Sequence, residues 1–150
     1  MNRIRQVEDM PVYQRFYRLA VRVADSTRDY PSDYRWLRNQ SLRSSESVPA
    51  NMTEGFYSQY STEYLQCLFR CRREARETMM HLKYAGDVML LPSETVKDIL
   101  DDYESALEEL ARLIASIERK VRLRGKAKPN AVREESPRYE TESAAIGHLS

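Results

Sequence analysis

Apolar residues recur every three or four positions through most of the chain, with polar and charged residues filling the intervals. That spacing is helical, and it delimits four stretches. In the first, Val12, Phe16, Leu19 and Val23 form one row, with Tyr13, Tyr17, Ala20 and Ala24 beside it. Asp9 is placed to cap this helix and Pro11 to occupy its opening turn, where a missing N–H costs little. Tyr30-Pro31-Ser32-Asp33 reads as a turn, because the residue before proline resists helix and Asp33 can cap the next helix.

The second helix is expected from about Tyr34, with Leu37, Ser41, Ser44 or Ser45, Val48 and Met52 inward. Pro49 removes one backbone hydrogen bond, which predicts a kink. Gly55 is placed as a C-terminal cap. After a connection at residues 58–61, the third helix is expected to run to Leu90 or Leu91. Its core row is Tyr64, Leu68, Cys71, Ala75, Met79 and Leu82. Ser93 caps the fourth helix. There the row Val96, Leu100, Tyr103, Leu107, Leu110, Ile114, Ile117 and Val121 steps by four and three, as a heptad seam does. Acids crowd its first turns and bases its last, matching the helix dipole.

Four amphipathic segments on short connections predict an all-α fold, an antiparallel up-down four-helix bundle over residues 9–124. Residues 1–8 form an N-terminal extension on this reading. Residues 125–150, with two prolines and little apolar content, are expected to be a disordered tail.

Composition narrows the class further. A chain of 150 residues suits one domain. Only 4 glycines and 6 prolines argue against a β-sandwich and leave little for a phosphate-cradling loop. The apolar run of a signal peptide is missing, and no window approaches a membrane span, so a cytoplasmic protein is expected. The sequon Asn51-Met52-Thr53 is then a coincidence of spelling. Cys67 and Cys71, one helical turn apart, read as small buried hydrophobes rather than a disulfide framework.

Candidate chemistry concentrates on helix three. Leu65, Phe69 and Met80 lie off its core row, beside long arginine stems, and are candidates for a subunit interface. The alternative is one wide helix face packed within a single bundle. Arg70, Arg72, Arg73 and Arg76 fall within seven residues. With Arg43 of helix two they are the candidate phosphate contacts for RNA or DNA. With 24 basic and 23 acidic residues, one subunit has almost no net field, but a ring of subunits would multiply each local patch. Glu77 and His81 do not have the Glu-x-x-His spacing of a di-iron bundle, and Cys67, Cys71 and His81 lack a fourth partner of matching spacing. No metal, cofactor or catalytic residue is assigned.

The stretch Gln40 to Phe56 is more specific. Gln40, Arg43, Ser47-Val48-Pro49, Asn51 and Glu54-Gly55-Phe56 resemble the signature Q-x-x-R-A-x-x-S-I-P-x-N-I-A-E-G-F. That signature belongs to the four-helix-bundle family named for proteins encoded in ribosomal-RNA intervening sequences. Ser61, Glu63-Tyr64 and Leu68 are similar to the family's start of helix three, and Val12-Tyr13-Gln14 and Tyr30-Pro31 to its opening elements. Within the motif, Pro49 bends helix two, Asn51 can bond backbone groups freed by the bend, and Glu54-Gly55 closes the helix. The chain departs from the pattern at Ser44 and Thr53, where Ala-like residues are usual, and at Arg73-Glu74, where small residues are.

What the resemblance implies is a homopentamer. The accessory variability determinant proteins of diversity-generating retroelements belong to the same family, and they bind nucleic acid and associate with a reverse transcriptase. The expected function is therefore a non-enzymatic, oligomeric, nucleic-acid-binding accessory protein, partnered with a reverse transcriptase. The alternative is a structural adaptor oligomer that presents helix surfaces to a protein partner, in the intervening-sequence branch.

Overall fold

The structure, a computed structural model, describes residues 3–127. The helices are α1 (Pro11–Ser26), α2 (Arg35–Phe56), α3 (Ser61–Asp87) and α4 (Ser93–Ala127), with 3-10 turns at Val7–Asp9 and Ser32–Tyr34. Helix α4 continues through Gly125 to Ala127, so the first three residues of the tail expected over 125–150 are helical. The tail's remainder lies outside the described residues.

Cross-helix contacts fix the directions. Between α1 and α4, Arg15 meets Glu109 at 3.1 Å and Arg22 meets Asp102 at 2.7 Å. Between α2 and α3, Ser44 meets Thr78 at 2.7 Å, and the Cys71 thiol donates to the Val48 carbonyl at 3.2 Å. Between α3 and α4, Arg76 meets Glu104 at 2.9 Å, and Gly86 packs on Val96. In each pair one number rises as the other falls, so neighbours are antiparallel. Contacts of α1 with both α2 and α4 close the ring of four helices, which is an up-down bundle.

The expected rows of α1 and α3 are buried throughout. In α4 the seam is broader than a strict heptad: Ile99, Ala106 and Leu113 join it, and Leu100 and Val121 are only partly buried. A wide stripe of this kind is what a globular bundle needs, whereas two positions per heptad suffice for a two-stranded coil.

Several local expectations are corrected. Ile4, Val7 and Met10 are buried, so the N-terminal segment completes the core. The Asp9 carboxylate accepts the N–H groups of Arg5 and Gln6, closing the first 3-10 turn, and Met10 occupies the cap of α1. Asp33 falls inside the second 3-10 turn and makes no cap bond to α2. Helix three ends at Asp87, not at Leu90. The Leu90 N–H bonds the Ala85 carbonyl at 2.8 Å and the Met89 N–H bonds the Gly86 carbonyl at 3.1 Å. That double closure is a Schellman motif, with Met89 at φ 70° in the left-handed position usually held by glycine.

Gly55 is not a cap either. No glycine among the described residues has positive φ, and α2 continues past it to Phe56. A Cβ on Gly55 would stand 2.7 Å from Cys67 Cβ and 2.9 Å from Tyr64 Cδ1, so glycine is required by the closeness of α3.

Candidate nucleic-acid interface

Helix α2 positions the motif. Pro49 has no N–H to offer the Ser45 carbonyl, yet α2 continues through it as one helix. Asn51 Nδ2 donates to the Ser47 carbonyl at 2.8 Å, Thr53 Oγ1 to Pro49 at 2.9 Å and Ser47 Oγ to Ser44 at 2.8 Å. Side-chain bonds of this type bend helices, which is compatible with the predicted kink. Asn51 thus reaches Ser47 and not the carbonyl that Pro49 frees. Its amide is committed within the helix. Glu54 is exposed at the helix end. Inward, the serines that allow close approach build a buried polar seam of Ser41, Ser44 and Thr78. The Tyr103 hydroxyl lies beside Thr78 without completing a hydrogen bond. Burial pushes the Tyr103 phenol far up, and it pushes Tyr30 up to about 12.

The five candidate arginines do not form one uniform cationic surface. Arg43 is paired with Glu74 at 3.2 Å and, more closely, with Glu77. Glu77 also meets His81 Nε2 at 3.2 Å. Burial pushes the Glu77 carboxyl up, but hydrogen bonds from Arg43 and His81 outweigh it, so it titrates below the usual carboxylate value. The Arg73-Glu74 departure from the family pattern therefore supplies a carboxylate to Arg43. Arg76 is paired with Glu104 across the α3–α4 seam. Arg72 stacks on Phe69 with its guanidinium 5.2 Å from the ring centre, and Arg70 contacts Cys67 Sγ at 3.5 Å. Arg70, Arg72 and Arg73 are exposed and form no ion pair among the described residues, so they carry the uncompensated charge of α3.

The three apolar candidates separate as well. Leu65 is buried inside its own bundle, which favours the wide-face reading for that residue. Phe69 is half-buried under Arg72, while Met80 is exposed. Helix geometry puts Met80 one turn from Tyr84, whose ring lies 6.1 Å from Trp36. Trp36 is 52% exposed, and Tyr34 follows at 6.5 Å. Sequence reasoning missed this aromatic patch. Its signal was the single tryptophan, placed off the inward row of α2.

His81 turns to Glu77, and Cys71 to a backbone carbonyl. Burial raises the pKa of both cysteines, so neither thiol is poised for chemistry. Among the described residues no cluster of three or more His, Cys, Asp or Glu is arranged to hold a metal ion. Nor is any helix among them long and apolar enough to cross a membrane.

Comparison with known proteins adds a family. Residues 8–115 match the family model described as 23S rRNA-intervening sequence protein. No curated protein matches closely enough to count as a relative.

Proposed function

From its membership of the 23S rRNA-intervening sequence protein family, which is not a known enzyme family, we propose that the chain is an oligomeric RNA-binding accessory protein. The observation that carries this reading is the exposed, uncompensated trio Arg70, Arg72 and Arg73 on a helix whose other arginine is paired. Arginines displayed without acidic partners suit phosphate contact, which positions a strand without reading bases. Assembly into a ring, a homopentamer by resemblance, would bring several such trios together and raise the field that one subunit lacks. The reverse-transcriptase partner rests on the same resemblance.

The test is titration of a labelled structured RNA at two salt concentrations. Binding that weakens steeply with salt supports the reading. Salt-insensitive binding, or none at low salt, overturns it. Light scattering addresses the assembly: a particle of several subunits is expected, and a monomer removes the ring argument.

A second reading is favoured by the patch of Trp36, Tyr84 and Met80. Exposed tryptophan, tyrosine and methionine are the residues protein interfaces concentrate. On that reading the protein is an adaptor, and reversing the α3 charges leaves partner binding intact.

A further inference from the structure

Charge is sorted along α4 more sharply than anywhere else in the chain. Residues 93–110 contain seven acids and one base, whereas residues 111–127 contain six bases and one acid, Glu118. The structure treats these halves differently. Arginines from neighbouring helices lie against the acidic half: Arg22 on Asp102, Arg76 on Glu104 and Arg15 on Glu109. No neighbour supplies a carboxylate to Arg112, Arg119, Lys120 or Arg122, which form no ion pair among the described residues. With Lys97 on Asp101, four of the seven acids are thereby paired, and the basic half is left open.

The basic residues are also aligned. Steps of seven and three put Arg112, Arg119 and Arg122 on one face of the helix. That face is turned from the core, whose rows here are Leu110, Leu113, Ile114 and Ile117. The row spans about 15 Å at ~1.5 Å per residue. Helix-dipole compensation does not account for it, because the dipole acts within the last turn and Arg112 stands about four turns from Ala127. A protein partner would need apolar anchors, but the row itself is flanked on its outer side by little more than Ala115 and the exposed Leu123. A polyanion needs only the charges.

We infer that the outer face of the C-terminal half of α4, with Arg112, Arg119 and Arg122, is an RNA-phosphate site in its own right. It rests on the RNA-binding reading, and it adds a contact on α4 to the one proposed on α3. Bound RNA is held to the basic end, since Glu94, Asp98 and Glu108, which form no ion pair among the described residues, repel a strand that extends along the acidic half.

The experiment titrates one labelled stem-loop RNA across a salt series against four full-length proteins. They are wild type, the triple R112A/R119A/R122A, the triple R112K/R119K/R122K, and R70A/R72A/R73A. Loss of three phosphate contacts is expected to weaken binding by about tenfold or more at low salt and to flatten the log–log salt slope by roughly two to three. The lysine triple is expected to bind nearly as wild type, because phosphate contact needs charge rather than a guanidinium fork. Circular dichroism checks that the alanine triple is folded. If wild type binds and the α4 alanine triple binds equally well, the inference fails while the RNA reading stands. Loss in the α3 triple alone would then locate the contact there. If wild type binds no RNA, both fail. Should the α4 triple then change the mass seen by light scattering, the row is a contact between copies of the chain.

Discussion

Three glycines in the helices provide a graded test of how closely neighbouring helices approach one another. Gly55→Ala places a Cβ 2.7 Å from Cys67 Cβ and 2.9 Å from Tyr64 Cδ1. Carbon atoms pack best at about 3.5–4.0 Å, so the new methyl intrudes by roughly 1 Å. Neither neighbour yields easily, since one is anchored to backbone and the other belongs to a buried ring. Overpacking of this kind costs ~1–3 kcal/mol, and better helix propensity returns at most ~1 kcal/mol. The expected result is a net loss of about 1–2 kcal/mol. Gly125→Ala meets nothing within 4 Å and should stabilise the protein by up to ~0.5–1 kcal/mol. Gly86→Ala, with Val96 Cγ2 at 3.0 Å, should fall between them. Urea unfolding read by Trp36 fluorescence and circular dichroism gives the three midpoints. Truncating Cys67 to alanine should not rescue Gly55→Ala, because the closest atom is the Cβ that alanine retains. A Gly55→Ala protein as stable as wild type would refute the close approach.

Other outcomes derive from the same geometry. Met89→Gly should raise stability by up to ~1 kcal/mol, since the left-handed conformation strains a side chain that is 87% exposed and packs on little; a lower unfolding midpoint would contradict this. Tyr103→Phe should be neutral or stabilising by about 1 kcal/mol, because the lost hydroxyl is buried without completing a hydrogen bond; a loss above that size would mean the hydroxyl is bonded. Glu77 has a depressed pKa in the folded state, so its contribution is present above the unfolded value near ~4.3 and is lost as pH falls through the folded one. Glu77→Gln should therefore flatten the fall in stability below about pH 4, and an unchanged acid limb in urea midpoints would count against the Arg43–Glu77–His81 chain.

Periodicity made the bundle legible because core burial imposes it directly: Val12, Phe16, Leu68, Leu82 and Leu110 all lie where their spacing puts them. Helix ends were less legible, since they depend on which carbonyl is reached. Leu90 turning back to Ala85 halts α3 at a methionine, where a glycine would have announced the stop. Gly55 was recognised as special but for the wrong reason, as the closeness of Cys67 comes from another helix. The candidate site was half visible. Four arginines in seven residues stand out, but Glu77 and Glu104, which neutralise two of the five candidates, lie 34 and 28 positions away. Such pairs depend on the three-dimensional register between helices.

Charge left uncompensated on this nearly neutral chain is proposed to bind RNA. The most direct measurement is the slope of log affinity against log salt for wild-type protein and a single structured RNA. With the α4 row engaged, the slope is expected at about −2.7 or steeper, near −0.9 per phosphate neutralised. A slope near zero would contradict the claim.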